Sequence, residues 1–210
     1  MSEKTNHPPF KWLLIPSLGI VLVGLVPMVW YASLPDDFHA GRKLQARGFT
    51  VIYDSFWRQP ICVEGEHLNI TPEDGWLISQ LPHLQNMYFI NCNMLDLNWN
   101  EIGNCQNLDV AFFLGVRGLP IDELRKLAPC PVTYLVLCNA DLKDSDLEIL
   151  MELPKLGALS LLGNTGITDT GLEHLENISS LRHLNLQSTS VTQEGVEVFK
   201  KKRSDVKVSL

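Results

Sequence analysis

The five cysteines are the residues of this sequence that can form disulfides, bind a metal ion or act as nucleophiles. They are Cys62, Cys92, Cys105, Cys130 and Cys138. Their number is odd, and they lack the dense spacing of a small disulfide-stapled secreted domain. The sequence contains no CxxC pair and no cluster of cysteine and histidine, so the spacing gives a structural zinc site little support.

Motifs of known catalytic chemistry are missing from the sequence. The histidines fall at unrelated positions, and there is no G-x-S-x-G elbow, P-loop or H-E-x-x-H motif. The carboxylates of Asp144, Asp146 and Asp169 stand at predicted helix starts, where such groups are ordinary caps. We therefore expect a protein that is not an enzyme and that uses no cofactor or metal.

The charge of the chain excludes one class of partner. The chain has 210 residues and a formal net charge of −7, whereas a nucleic-acid-binding domain normally carries a basic face. Hydrophobic residues make up 45% of the chain, which suits one folded domain plus a separate apolar segment.

An uncharged, apolar segment covers residues 12–35. It exceeds the roughly 20 residues that a helix needs to cross the hydrocarbon core of a membrane. Trp12 at one end, with Trp30 and Tyr31 at the other, fits the aromatic belts of the two interfaces. We expect a transmembrane helix, retained as a signal anchor after a tail of residues 1–11. A cleaved signal peptide is the alternative, although no A-x-A site follows the segment.

The basic residues that flank this segment bear on its orientation. Lys4 and Lys11 precede it, and Arg42, Lys43 and Arg47 follow it, so the two counts nearly balance. We expect a single-pass membrane protein with its tail in the cytoplasm and its larger domain outside the cytoplasm.

A pattern of the form L-x-x-L-x-L recurs along the rest of the chain. Its copies begin at Leu84, Leu108, Val132, Leu156 and Leu181. The intervals are 24, 24, 24 and 25 residues, and incomplete copies begin at Pro60 and Asp205. One such unit cannot bury its apolar face, but stacked units share a continuous core. The spacing therefore predicts a solenoid of six to seven rungs over residues 60–210.

The last two units resemble the leucine-rich-repeat family, whose pattern is L-x-x-L-x-L-x-x-[N/C/T]-x-I-T-D-x-G-L. Residues 181–196 follow this pattern closely, and residues 156–172 follow it after one inserted residue. The resemblance implies an α/β solenoid, with a parallel sheet on the concave face and helices or turns on the convex face. It also implies a protein-binding function, because members of the family mostly bind other proteins.

Two units depart from the family pattern. The Asn/Cys/Thr position holds Cys92, Asn164 and Thr189, but Val116 and Ala140 in the middle units. Since these two side chains cannot hydrogen-bond to the loop backbone, its amides are expected to need another partner or water.

Residues 36–59 are expected to link the anchor to the repeats and to cap the first rung. Residues 39–48 resemble a short helix, and residues 49–53 resemble a strand. Solenoid ends need such a cover, because the first rung otherwise exposes its core.

Side chains between the leucines of each strand are predicted to point out of the concave face. They are polar or acidic at both ends of the solenoid and apolar in the centre. The predicted protein-binding residues, called the apolar patch below, are Tyr88, Ile90, Val110, Phe112, Leu114, Tyr134 and Val136. Exposed patches of this kind commonly mark interaction sites. The alternative is that a neighbouring copy or residues 38–58 fold over the patch.

Two further hypotheses follow from these positions. Cys105 and Cys130 precede adjacent strands at nearly the same repeat position, which predicts a disulfide if the domain lies in an oxidising compartment. A membrane-anchored module that binds a protein ligand is the function that the sequence favours. The alternative is a structural envelope protein that associates with itself through the apolar patch.

Overall fold

The computed structural model describes residues 36–210. The predicted tail and transmembrane helix, residues 1–11 and 12–35, lie outside the described residues. Within residues 36–210, no helix is both long enough and apolar enough to cross a membrane.

Strands and helical segments alternate along this part of the chain. The strands are β1 Thr50–Tyr53, β2 Pro60–Glu66, β3 Asn86–Ile90, β4 Val110–Leu114, β5 Tyr134–Cys138, β6 Ala158–Ser160, β7 His183–Asn185 and β8 Lys207–Ser209. The α-helices are α1 Asp36–Ala46, α2 Pro72–Ser79, α3 Trp99–Ile102, α4 Gly171–Glu176 and α5 Gln193–Lys202. In two middle units a 3₁₀-helix replaces the α-helix, at Ile121–Leu127 and Asp144–Glu152.

The strands form one eight-stranded sheet in which each strand neighbours the next one along the chain. Strand β1 is antiparallel to β2, and all later pairs are parallel. Leu135 pairs in register with Ala111 on one side and with Leu159 on the other, as the 24-residue spacing requires. The structure confirms the predicted mixed α/β fold with a parallel sheet.

The core lies between the sheet and the helical segments. The strand leucines predicted to point inwards are at most 2% exposed at Leu135, Leu137, Leu159, Leu161 and Leu184. Apolar side chains of the helical segments meet them from the other side, including Leu147, Leu150, Leu172 and Leu175. Because every unit supplies side chains to both sides, burial of apolar surface is shared along the whole stack.

In six successive units, the turn after the carboxyl end of the strand contains a residue in the left-handed backbone conformation. The residues with positive φ at this position are His67, Asn91, Gly115, Asn139, Gly163 and Ser188. The N–H groups of the first five bond across to the next rung; Asn91, for example, donates to the carbonyl of Leu114 at 2.7 Å. Glycine and asparagine tolerate this conformation best, because other side chains crowd the backbone there.

Asn164 supplies the partner that the loop around Ala140 lacks. This fully buried side chain accepts hydrogen bonds from the amides of Ala140 at 2.9 Å and Leu142 at 3.2 Å. Its Nδ2 donates to the carbonyls of Leu137 at 2.6 Å and Leu161 at 2.7 Å. One amide side chain thus satisfies backbone groups in two consecutive units.

Of the three carboxylates at predicted cap positions, Asp146 caps its own helical segment by accepting from the Lys143 amide at 2.8 Å, whereas the other two bind the following unit. Asp144 accepts hydrogen bonds from the N–H and hydroxyl of Thr168 at 2.8 and 2.7 Å. Asp169 does the same for Thr192, with both distances 2.7 Å. The expectation that these two carboxylates are local caps is therefore wrong. They join neighbouring rungs, because a solenoid places equivalent turns side by side.

The segment before β2 covers the first edge of the sheet. Helix α1 begins three residues before its predicted start, and β1 forms a hairpin with β2. Arg47, just after α1, donates to the buried carboxylate of Asp74 and lies 2.8 Å from Glu73. Asp74 also closes a capping box with Thr71 at the start of α2. Residues 38–58 therefore lie at the sheet edge and not across the apolar patch.

Candidate protein-binding face

The apolar patch lies on the open face of the sheet, which is the face opposite the helical segments. Strand register groups its residues into three rows. The first row contains Val110 and Tyr134, the second Tyr88, Phe112 and Val136, and the third Ile90 and Leu114. Parallel pairing in register brings together side chains that are 24 residues apart in the chain.

Exposure differs across these rows. Tyr134 is 42% exposed, and the patch residues of β3 and β4 are half-buried. Val136 is only 2% exposed, so the expectation that its side chain is accessible on this face is not met. It sits in register between Phe112 and Ser160, and its side chain is smaller than the neighbouring ring. Val136 is therefore buried beneath the patch, and the aromatic rings with Ile90, Val110 and Leu114 form its accessible surface.

Two aromatic rings form the centre of the patch. The ring centroids of Tyr88 and Phe112 are 5.5 Å apart, with planes inclined by 47°. Burial raises the pKa of Tyr88, and the nearby acidic groups of Cys62, Glu64 and Tyr134 raise it further. The tyrosine hydroxyl therefore stays protonated at neutral pH and offers both a donor and an acceptor to a ligand. Paired, partly exposed rings of this type are common anchors in protein interfaces.

One apolar residue of this face escaped the sequence analysis. Ile52 of β1 pairs in register with Cys62, which extends the first row of the patch beyond β2. Its side chain is 47% exposed. The antiparallel hairpin between β1 and β2 determines which side of the sheet Ile52 faces, and no repeat pattern covers β1.

The ends of the face carry different polar chemistry. Glu64 pairs in register with Tyr88, and Glu66 pairs with Ile90, so two carboxylates border the patch on the β2 side. On the β6 side, the Ser160 hydroxyl lies 3.4 Å from the Cys138 thiol. The face is therefore acidic at one border, apolar in the centre and neutral polar at the other border.

The cysteines are free thiols in this structure and all five are buried. Burial raises the pKa of Cys62 to about 11, with a further contribution from Glu64. A thiol held protonated in this way is a poor nucleophile at neutral pH.

Among residues 36–210, no group of three or more His, Cys, Asp or Glu side chains is arranged to hold a metal ion.

Cys105 and Cys130 lie in neighbouring units, as predicted. Each thiol donates to a carbonyl of the preceding unit, Cys105 to Ile78 at 3.9 Å and Cys130 to Ile102 at 3.6 Å. Burial raises the pKa of Cys105 to about 12 and that of Cys130 to about 11. A disulfide between them stays a prediction.

Comparisons with known proteins find matches among solved structures. A leucine-rich-repeat protein of Leptospira interrogans matches at TM-score 0.44 and 18% identity, over 64% of this chain and 39% of its own. An internalin (inlF) of Listeria monocytogenes matches at TM-score 0.47 and 14% identity, over 71% and 47%. A second Listeria internalin (inlC2) matches at TM-score 0.38 and 15% identity, over 72% and 80%. No protein-family model and no curated protein matches the chain. This chain spans less than half the length of the first two solved structures.

Proposed function

We propose that the chain is a membrane-anchored leucine-rich-repeat protein that binds a protein ligand on the open face of its sheet. The observation that carries the proposal is the group of partly exposed apolar side chains on three neighbouring strands, with the Tyr88 and Phe112 rings at its centre. These side chains are not needed in the core, because the alternate residues of the same strands fill it. Apolar side chains kept outside a complete core are typical of an interaction surface.

The charge pattern of the face restricts the ligand. Glu64 and Glu66 stand in register beside Tyr88 and Ile90. A ligand that covers the patch therefore brings an apolar segment against the rings and a lysine or arginine against the carboxylates. Such a basic group speeds association and fixes the register of the complex, whereas the apolar centre supplies most of the affinity.

A photo-crosslinking experiment tests this surface. A photoreactive phenylalanine analogue replaces Tyr134 in the full-length chain, and adducts formed in the native host are identified by mass spectrometry. The expected result is one dominant heterologous adduct that disappears in a Phe112→Glu background. The control carries the analogue at Lys155, an exposed position outside the patch. Adducts that survive Phe112→Glu in a folded protein contradict the proposal.

The same experiment separates a ligand from a second copy of the chain. An adduct with twice the mass of the chain supports the alternative, a structural protein that associates with itself through the apolar patch. Sedimentation of the full chain in detergent over a range of concentrations provides an independent measurement. A concentration-independent monomer disfavours self-association.

The proposed location is the membrane. Residues 12–35 anchor the protein by crossing the membrane once, and the repeats lie outside the cytoplasm. The test is a C-terminal reporter that is active on only one side of the membrane. Activity outside the cytoplasm supports this orientation and makes the disulfide between Cys105 and Cys130 relevant. Activity in the cytoplasm instead favours a scaffold with reduced thiols that recruits soluble proteins.

A further inference from the structure

The hairpin between β1 and β2 ends in a loop that exposes two large aromatic side chains. Phe56 is 80% exposed and Trp57 is 72% exposed, more than any other large hydrophobic residue that the structure describes. Their rings pack edge to face, with centroids 4.8 Å apart. These two residues are called the aromatic tip. The tip adds nothing to the core, so its exposure has no explanation in folding.

The aromatic tip is held in a defined conformation. The Asp54 carboxylate accepts hydrogen bonds from the backbone amides of Phe56 at 3.0 Å, Trp57 at 2.6 Å and Arg58 at 2.8 Å. The Asp54 amide closes the loop by donating to the carbonyl of Gln59 at 2.9 Å. A side chain that satisfies several loop amides stabilises one turn geometry. The rings are therefore presented in a fixed position instead of collapsing onto the sheet.

Helix α1 runs along this hairpin from the end near the tip towards the opposite end. Near its middle, a side chain added at Gly41 would meet the Tyr53 hydroxyl 2.6 Å away and Pro60 3.6 Å away. Tyr53 and Pro60 are the residues on either side of the tip loop. Just beyond the helix, the Phe49 ring packs against Gly65, far along β2. The beginning of α1 and the aromatic tip therefore lie at the same end of the repeat domain.

The first residues of α1 are close to the base of the tip. Burial raises the pKa of Tyr53, and the charges of Arg42 and Asp37 act on the same hydroxyl. Asp36 lies five residues before Gly41, which is about 7.5 Å along a helix that rises 1.5 Å per residue. Residues 12–35, the expected membrane anchor, directly precede Asp36.

We propose that the aromatic tip inserts into the interfacial region of the bilayer that holds the membrane anchor. The inference rests on the anchoring part of the proposed function. Tryptophan and phenylalanine favour the boundary between headgroups and acyl chains. The expected anchor directly precedes α1, whose first residues lie at the same end of the repeat domain as the tip. Arg42 and Arg58 are exposed beside the tip, which suits anionic headgroups.

Insertion of the tip also gives the repeat domain a second attachment point. A single helix leaves the domain free to rotate about the point where the chain leaves the membrane, whereas two contacts restrict that rotation. The parallel strands begin at the end of the domain that carries the tip, since Pro60 is the first residue of β2. The open face then stands away from the lipid surface and stays accessible to a ligand.

Nitroxide labelling in liposomes tests the inference on the full-length chain. Ser55→Cys introduces an exposed thiol beside the tip, and Thr165→Cys introduces one beyond the carboxyl end of β6 as the control. The five native thiols are buried, so the label reacts at the new site. Collision rates with oxygen, which is enriched in lipid, and with a water-soluble nickel complex report the depth of each label.

The expected result is a higher ratio of oxygen to nickel collisions at residue 55 than at residue 165. Phe56→Ser with Trp57→Ser should abolish that difference without lowering the thermal stability of the domain, because both rings are outside the core. Equal ratios at the two sites in membrane-retained protein overturn the inference. Spin–spin broadening at residue 55 that grows with the protein-to-lipid ratio also overturns it, because the tip then contacts a second copy.

Extraction of the liposomes with alkaline carbonate separates failure of the tip from failure of the anchor. Release of the unmodified chain from the lipid shows that the anchor proposal is wrong, and the insertion proposal falls with it. Retention of the chain with a water-exposed label at residue 55 removes only the insertion proposal.

Discussion

The side-chain amide oxygen of Asn139 occupies the space where a side chain at Gly163 would begin. The two residues hold the same turn position in neighbouring units, and both have positive φ. Asn91 and Gly115 repeat this relationship two units earlier. Asparagine and glycine therefore alternate at this turn position in four successive units, because each asparagine side chain needs a residue without a side chain beside it in the next unit.

Gly163→Ala is expected to destabilise the domain by more than about 1–2 kcal/mol, the cost of the left-handed conformation for a non-glycine residue. The clash with Asn139 adds to that cost. Gly157→Ala is the matched control, since its nearest neighbour is the Thr133 carbonyl at an ordinary 3.5 Å. Urea unfolding of residues 36–210 measures both. Equal free energies of unfolding for the two variants would contradict the steric account.

Asn164→Ala is expected to cost about 3–5 kcal/mol. The substitution removes the side-chain partner of the Ala140 and Leu142 amides and of the Leu137 carbonyl, whereas the Leu161 carbonyl keeps the backbone amide of residue 164. One unsatisfied buried group costs about 1–3 kcal/mol. Partial relaxation and water entry reduce the sum. Asn185→Ala removes one acceptor, used by the Gln187 amide at 3.1 Å on the surface, so it should cost less than about 1 kcal/mol. Denaturant unfolding that ranks the two variants the other way would show that Asn164 does not join the units.

The repeat interval was enough to predict the sheet register and the buried leucines, because each strand must present the same side to the same core. The cross-rung roles of Asp144 and Asp169 were not predictable from one unit. In the pattern T-D-x-G, the aspartate binds the threonine of the next unit. The glycine leaves room for the aspartate of the preceding unit. At Gly195, an added side chain would meet Asp169. Such contacts exist only once two units are stacked.

The face of the sheet was predictable by alternation, but the exposure on that face was not. Val136 and Phe112 occupy equivalent positions, yet Val136 is 2% exposed and Phe112 is half-buried. The aromatic tip was missed for a different reason. Residues 36–59 lie outside the repeat, so no periodicity assigned Phe56 or Trp57 to a side, and the hairpin that exposes them depends on the Asp54 turn.

Phe112 and Phe113 are adjacent in β4, but substitution of Phe113 should mainly lower stability and substitution of Phe112 should mainly lower ligand binding. Phe113→Ala is expected to cost about 3–5 kcal/mol, because it removes a fully buried ring stacked on Phe89 with centroids 5.8 Å apart. Phe112→Ser should cost only about 1–2 kcal/mol, because the ring is half-buried beside Tyr88, and should abolish ligand crosslinking at Tyr134. Thermal unfolding and the crosslinking yield measure the two effects separately. Equal destabilisation by both would show that Phe112 belongs to the core.

Stability of the reduced domain is expected to fall at alkaline pH through Cys105 and Cys130. Burial raises the pKa of these thiols to about 12 and about 11, from an ordinary value of 9.0. Above pH 9 the unfolded chain therefore loses thiol protons that the folded chain keeps, so the free energy of unfolding decreases as pH rises. The contribution is complete below pH 9 and is lost between pH 9 and about 12.

Urea unfolding at pH 8 and pH 10.5, under reducing conditions, checks this prediction. Other groups also titrate in this range, so the control is the Cys105→Ala, Cys130→Ala double variant, which keeps all of them. The loss of stability between the two pH values should be larger in the unmodified domain than in the control. Parallel losses would show that the two thiols are not desolvated. Without reductant, a disulfide would remove both titrations, and the mass of the intact chain would fall by two hydrogens.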